Sequence, residues 1–419
     1  MRFFIVLLAF STSPMWGQLN SINLDSCLRW ASLNYPIYRQ SDLYKAQMVT
    51  NVQGIREAWL PKLNLSIQGT YQSEVVQFNI PGFTTNFPHD SYLGSLAVEQ
   101  LLFDGGISKR QRQLELLNSD IEVQKNKVEI YRVVDRVNQI YMAVLLSKAN
   151  LAMLELLQDN LMKRSVNVAV SVTNGLMLQT QLDELEVEML KTRQQMIEAK
   201  ENLNGLCSSL SIITGKTITA TTEFIASPAG GNTLLMSNMR PESTLLLMQD
   251  GFLSEKYKLA TNLAMPKLYV NMVGNYGRPG PNFINQDLRL FGSGSLALRW
   301  NISTLYGLNR EKQRFDISRK MIEIQRDQLN QNMETSLATH SSLLNAMDQV
   351  LQLDDAIVQK KTEIAAVSAN QLENGKITAT VYLLQLNDEM AARLNRKLHE
   401  IKRLNAWSNY NITLGLVNF

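Results

Sequence analysis

The chain has 419 residues, 45% hydrophobic and 19% charged, with 41 Lys and Arg against 38 Asp and Glu. That is enough apolar material for one large or two smaller domains and excludes a disordered chain. The net charge of +3 is spread among interleaved acids and bases, which excludes the clustered basic surface of a nucleic-acid binder. The histidines, His89, His340 and His399, lie far apart in the chain and in no metal-ligand or triad spacing. Gly292-Ser293-Gly294-Ser295 precedes a strand instead of leading one into a helix, so it is no nucleophile elbow or phosphate loop. Acid pairs such as Asp183-Glu184 and Asp354-Asp355 sit in helical stretches as solvated faces. No catalytic residue, metal or cofactor is expected, and the protein is not expected to be an enzyme.

In chain order, residues 1–17 read as a signal peptide: Arg2 starts it, residues 3–10 are apolar, and residues 11–17 are small-residue rich up to a cut before Gln18. Cys27 lies too far downstream to serve as a lipid anchor. Beyond this leader no run of about 20 apolar residues stands out, so a membrane crossing must be made by strands. Pro and Gly then recur at a nearly constant offset between the two halves. Pro36 answers Pro241, Pro61 answers Pro266, Gly106 answers Gly307, Gly175 answers Gly375 and Gly215 answers Gly415. Five ordered pairs imply a tandem duplication: a first repeat over 18–225, a linker over 226–239 and a second repeat over 240–419.

Each repeat opens with a helix, in the first from the N-cap Asn23 to Trp59, stopped by the proline that follows. Two strands come next, about 62–78 and 91–103 in the first repeat and about 266–277 and 288–302 in the second. Leu63, Leu65 and Ile67 alternate with polar neighbours, as do Leu296, Leu298, Trp300 and Ile302. The Gly, Pro and Asn-rich stretches 78–91 and 276–286 between them read as loops. From Ile107 to Asn174 and from Leu308 to Asn374 there is neither Gly nor Pro, and Leu, Gln, Glu, Lys and Met favour a helix about 100 Å long. After Asn174-Gly175 and Asn374-Gly375 a helix of about 60 Å returns to Gly215 and Gly415, which makes long hairpins over 107–215 and 308–415. Trp59, Phe103, Trp300 and Tyr306 fall at the helix-proximal strand ends, where an aromatic girdle at a membrane interface belongs. Four strands cannot close a barrel with a lumen, so the barrel must be shared among copies.

These features carry a family resemblance: helix, proline, strand, loop, strand and long hairpin occurring twice, LPKLNLS after the first helix, LLFDGGISKRQ at the strand-to-helix junction, and NGL with LNGLCSSLSIITG in the returning arm. Over nearly its whole mature length the chain resembles the TolC-like outer membrane efflux proteins. The resemblance implies a mainly helical chain with a membrane β-barrel, and a homotrimer with a twelve-stranded barrel in outer membrane lipid. That barrel continues into a twelve-helix periplasmic tunnel that meets a periplasmic adaptor and an inner-membrane pump. Its implied role is passive conduction in a tripartite efflux or export system. Exit of secreted proteins or of metal ions is the alternative, and a periplasmic coiled-coil scaffold a remote one. The methionines of the first hairpin, Met142, Met153, Met162, Met177, Met189 and Met196, are read as packing residues.

The resemblance also places the adaptor contact at the two turns, here Thr173-Asn174-Gly175-Leu176 and Glu373-Asn374-Gly375-Lys376, with Asn where the family has Val before each Gly. It places the gate just beyond them, at Thr180, Gln181, Val381 and Leu384. None of the four is acidic, and Asp183, Glu184, Asp388 and Glu389 are assigned to other helical phases. The expected closed state is therefore held by apolar contacts of Val381 and Leu384 and hydrogen bonds from Thr180 and Gln181, with no charged ring. Counting residues along the arms puts Cys27 and Cys207 at one height near mid-tunnel, as buried free thiols or, alternatively, a disulfide.

Overall fold

The structure, a computed structural model, describes residues 21–75, 77–80, 83–226, 240–282 and 287–416. The leader at 1–17 and all but the first residue of the linker at 226–239 lie outside the described residues. The chain divides into two compact units. A strand unit takes Arg39–Asn126 and Glu242–Gln328, and a hairpin unit takes Met1–Tyr38, Lys127–Pro241 and Leu329–Phe419.

The first helix is two. β1 (Ser21–Asn23) leads into α1 (Leu24–Asn34), whose N-cap is Asn23 as expected, its side chain accepting from the Ser26 amide at 2.8 Å. Tyr35, with ψ of 129°, then leaves the helical region because Pro36 follows it. A short 3-10 turn (Pro36–Arg39) restarts the chain into α2 (Gln40–Glu57). The single helix expected from Asn23 to Trp59 is thus corrected by the same proline rule that ends it.

In the strand unit, β2 (Lys62–Tyr71) stops short of the expected residue 78. The stretch 78–91, expected as a loop, carries a small antiparallel pair, β3 (Gln77–Ile80) and β4 (Phe83–Asn86), before β5 (Asp90–Phe103). After the second-half helix α5 (Pro241–Leu263) come β7 (Lys267–Arg278) and β8 (Arg289–Arg299), with β6 (Glu223–Ile225) lying earlier in the hairpin unit. The last strand ends at Arg299 where residue 302 was expected, since a 3-10 turn over Ile302–Gly307 takes over. The sheet order is β2-β5-β7-β8, antiparallel throughout.

At the strand-to-helix junction Asp104 accepts from the Gly106 amide at 2.7 Å and the Ser108 amide at 2.6 Å, capping the long helix α3 (Ile107–Thr173). Gly105 has φ +72°, and a Cβ there would meet the Met265 Cβ at 2.8 Å and the Asn262 carbonyl oxygen at 3.2 Å. Only glycine fits that approach, which explains the DGG string.

The hairpin unit contains α1, the later part of α3, α4 (Gln179–Thr214), the later part of α6 (Leu308–Glu373) and α7 (Ala379–Leu414). β1 and β6 pair in parallel, and the Tyr141 hydroxyl lies 3.1 Å from the Ile22 and 2.8 Å from the Ile225 carbonyl oxygens. Around them Leu28, Tyr131, Val134, Val137, Val144, Leu203 and Leu210 form one core. An 18-residue stretch of α3 is apolar enough by length and composition to cross a membrane, contrary to the sequence expectation. α3 also places Val137, Tyr141 and Val144 in this core. Cys27 and Cys207 occupy the same core as buried free thiols, and burial pushes the Cys27 thiol up to about 12.

Candidate functional site

Two regions carry the residues singled out from the sequence. In the strand unit, the register makes the sheet two-faced. Leu63 lies opposite Val98, Leu65 opposite Leu96, Val270 opposite Leu296 and Leu268 opposite Leu298. Since side chains alternate along a strand, these residues with Ile67, Met272 and Leu290 share one apolar face. That face is open: Leu63, Leu65 and Ile67 are 68%, 74% and 83% exposed. The other face carries Asn64, Ser66, Gln68, Ser95, Asn271, Asn275, Ser293 and Ser295, with the Ser95 hydroxyl donating to Asn275 at 2.6 Å.

The four expected aromatics stand at the helix-proximal end. Trp59 donates its indole N–H to the Ser108 hydroxyl at 3.0 Å, and Trp300 donates to the Ala264 carbonyl at 2.9 Å. Both rings stay exposed, as do Phe103 and Tyr306. A satisfied N–H with an open ring suits an interface where apolar and wet surroundings meet. Sequence reasoning missed a second aromatic set at the far ends of the strands: Tyr71, Tyr92 and Tyr276, also exposed. Strand parity was the available signal, because each continues the apolar alternation of its strand.

In the hairpin unit, the two turns are built alike. The Gly175 amide donates to Val172 O at 2.9 Å and the Leu176 amide to Ser171 O at 2.8 Å. The Gly375 amide donates to Leu372 O at 2.9 Å and the Lys376 amide to Gln371 O at 2.8 Å. This paired bonding is a Schellman stop, with Gly175 and Gly375 at φ +72° and +65°. Thr173, Asn174, Glu373 and Asn374 precede the glycines, all exposed. The turns differ in what they present. The first shows the apolar Leu176, 76% exposed, and Leu178, while the second shows Lys376 and Thr378.

Beneath the turns Leu157, Leu161, Leu185, Leu372, Tyr382, Leu386 and Met390 make a second core from all four arms. Burial pushes the Tyr382 phenol up, opposed by the hydrogen-bonded guanidinium of Arg164, which also pairs with Glu373. Val381 and Leu384 are exposed, Thr180 is exposed, and Gln181 is half-buried with its Oε1 enclosed and without a hydrogen-bond partner.

The acids near these positions do not all lie at other helical phases. Asp388 is four residues beyond Leu384 and seven beyond Val381, so it lies on the same stripe of α7, and Glu184 is four beyond Thr180 on α4. What distinguishes these acids is their partners. Asp388 pairs with Lys361 at 2.6 Å and Glu184 accepts from Thr380 at 2.7 Å. Asp183 accepts from Gln179 at 2.9 Å, and Glu389 takes Thr362 and Arg393 at 2.9 and 2.7 Å.

The histidines have separate surroundings. His89 stacks on Tyr71 with Nδ1 2.8 Å from Gln72 O, and His399 pairs with Asp354 at 2.7 Å. His340 is held low by burial, which the Asp135 carboxylate opposes. Among the described residues no group of three or more His, Cys, Asp and Glu is placed to hold a metal.

The sequence matches no family model and no curated protein. As a fold, the chain is similar to several solved structures. Against the outer membrane protein VceC of Vibrio cholerae the TM-score is 0.68 at 10% identity, covering 94% of this chain and 96% of that one. Against the CmeC outer membrane channel of Campylobacter jejuni it is 0.64 at 13% identity, covering 99% and 94%. Against the open state of the MtrE outer membrane channel of Neisseria gonorrhoeae it is 0.66 at 12% identity, covering 94% and 88%. At these identities the likeness lies in the course of the backbone. The chain has the fold of the TolC-like outer membrane efflux channels.

Proposed function

We propose that this chain is one subunit of an outer membrane duct that conducts solutes passively from the periplasm, or from an inner-membrane pump, to the exterior. One observation carries the reading: a four-stranded sheet with an exposed apolar face, aromatics at both ends, and two lateral edges, β2 and β8, unpaired among the described residues. Strands of 10 to 14 residues suit a tilted crossing of the hydrocarbon layer. An open edge in lipid would leave each N–H and C=O unsatisfied at several kcal/mol per group, so other copies must close the sheet. The sequence resemblance supports three copies, giving twelve strands around a lumen, with twelve helices from α3, α4, α6 and α7 as a periplasmic tunnel. It likewise supports the cleaved leader, the tandem duplication, and assembly with an adaptor and a pump.

Docking of the adaptor belongs at the two turns. A tryptophan at Gly175 or Gly375 would distort the turn itself, because both glycines have positive φ. Leu176→Asp with Lys376→Glu changes only the exposed surface and is the cleaner test. For the gate, we place Val381 and Leu384 at an apolar constriction with Thr180 and Gln181 beside it, Asp388 and Glu389 being paired with Lys361 and Arg393 and Asp183 and Glu184 hydrogen-bonded to Gln179 and Thr380.

The test of the duct is direct. Purified protein added to planar bilayers should give long-lived conductance, and cells lacking the gene should lose pump-dependent resistance or export. A water-soluble monomer that never conducts would contradict the reading. Protein secretion and metal-ion exit share this architecture, and the cargo carried by the cognate pump decides among them.

A further inference from the structure

The strands carry few charges, and they are unevenly placed. Basic residues are Lys62, Lys267, Arg278, Arg289 and Arg299, against the acids Asp90 and Glu99. Register and parity put Lys62, Glu99, Lys267 and Arg299 together on the polar face at the helix-proximal end, since Lys62 lies opposite Glu99 and Lys267 opposite Arg299. Lys62 would be the natural cross-strand partner of Glu99. Instead Glu99 binds Arg299 at 2.7 Å, and the Arg299 guanidinium is held over the Tyr269 ring, 4.4 Å from its centroid. The second carboxylate nearby, Asp104, is occupied by the amides it caps. Among the described residues the Lys62 and Lys267 side chains have no ion-pair or hydrogen-bond partner, and the group of Lys62, Lys267, Arg299, Glu99 and Asp104 keeps one net positive charge. Both line one cavity of about 190 Å³ with Glu99, Asp104, Tyr269, Ser108 and Gln111, where Arg299 offsets the Glu99 charge and the amides at the start of α3 hold the Asp104 carboxylate.

We propose that this cavity is a binding station for an oxyanion, a carboxylate or phosphate, carried by a solute in the duct. Two lysines and Gln111 line the cavity from β2, β7 and α3, and charge-assisted bonds from ammonium groups favour an oxyanion over a neutral group. The volume suits an anionic headgroup and is smaller than the pocket that would enclose a whole drug-sized molecule. A lipid phosphate is the other source of the same chemistry. The lysines stand on the face opposite Leu63, Leu65 and Ile67, which places the occupant on the side away from lipid. The inference rests on the duct reading for the identity of that side, and it adds a charge class of cargo held at the foot of the strands.

Inorganic phosphate is the probe, used with the delipidated full chain in a non-ionic maltoside detergent, whose headgroup carries neither phosphate nor carboxylate. Phosphate should raise the thermal stability of the wild-type protein beyond what chloride of equal ionic strength does. The double variant Lys62→Gln, Lys267→Gln should lose about tenfold or more in phosphate affinity, and Lys62→Arg, Lys267→Arg should keep most of it. In bilayers under a KCl gradient, the Gln variant should shift the reversal potential towards cation preference and lose the wild-type response to phosphate. A phosphate response that is absent from the wild type, or unchanged in the Gln variant, overturns the station. Failure of every variant and the wild type to conduct, with phosphate stabilisation intact, would overturn the duct and leave the site standing.

Discussion

The two long hairpins share a turn geometry but hold their arms together by different means. Between α3 and α4 the contacts are apolar. α4 buries Leu185, Thr192, Ala199, Leu203, Cys207 and Leu210 at steps of seven, seven, four, four and three residues, and among the described residues no ion pair joins these two arms. Between α6 and α7 the contacts are largely charged. Asp348 pairs with Arg403, Asp354 with His399, Asp355 with Arg396 and Lys361 with Asp388, while Thr362, Glu389 and Arg393 form a small network. Between Met333 and Ala365, Asp354 is the one buried residue of α6. One hairpin is fixed by packing along its length, which salt hardly touches, and the other, outside the apolar core at its tip, by partners that water and salt can replace.

The largest expected effect lies in the packed hairpin. Leu203→Ala removes a fully enclosed side chain and should cost about 2–5 kcal/mol in a denaturant titration of the detergent-solubilised protein; a cost under about 1 kcal/mol would mean that α4 is not seated as described. Next comes Glu389→Ala in the charged hairpin, which strips Thr362 and Arg393 of their shared acceptor at a site only 6% exposed. A loss of about 1–3 kcal/mol is expected, with Glu389→Gln recovering part of it by accepting from Thr362.

A smaller effect concerns how the long arms begin. α3 starts from the charged cap Asp104, whereas α6 emerges from a 3-10 turn. Burial alone would raise the Asp104 carboxyl, but the hydrogen bonds from Ser108 and Gly106 outweigh it and hold the group below the usual carboxylate range. Folding therefore favours the ionised form. Its contribution is complete above the unfolded value of about 3.9 and is lost as pH falls through the lower folded value. Asp104→Asn should cost about 1 kcal/mol at neutral pH and flatten the acid limb of the stability profile. The smallest effect is ionic. Raising salt to about 1 M, where the Debye length is about 3 Å, should weaken each exposed pair of α6 and α7 by a few tenths of a kcal/mol. Hydrogen exchange should then quicken in that hairpin and leave α3 and α4 unchanged.

Much of this fold could be read from the chain because Gly and Pro act locally. Asn174-Gly175 and Asn374-Gly375 needed only a left-handed stop, Asn23 only a free amide to cap, and Leu63, Leu65 and Ile67 only the two-residue period of a strand. Pro36 was equally legible and breaks the first helix by the rule applied at Pro61. The ion pairs of α6 and α7 were not legible, since pairing Asp355 with Arg396 requires the rotation of two antiparallel helices about their axes. For the same reason Lys62 could be given a strand and a face, while the diversion of Glu99 to Arg299 depends on a third strand between them. The residues proposed for the gate were reached by counting along the helices, and their neighbours Glu184 and Asp388 acquire meaning only from Thr380 and Lys361 on other helices.

The central claim is that this sheet is one part of a closed barrel made by several copies. Native mass spectrometry of the detergent-extracted protein tests it most directly. Three chains in one assembly that survives removal of the detergent is the predicted result, and a stable monomer with the β2 and β8 edges open would contradict it.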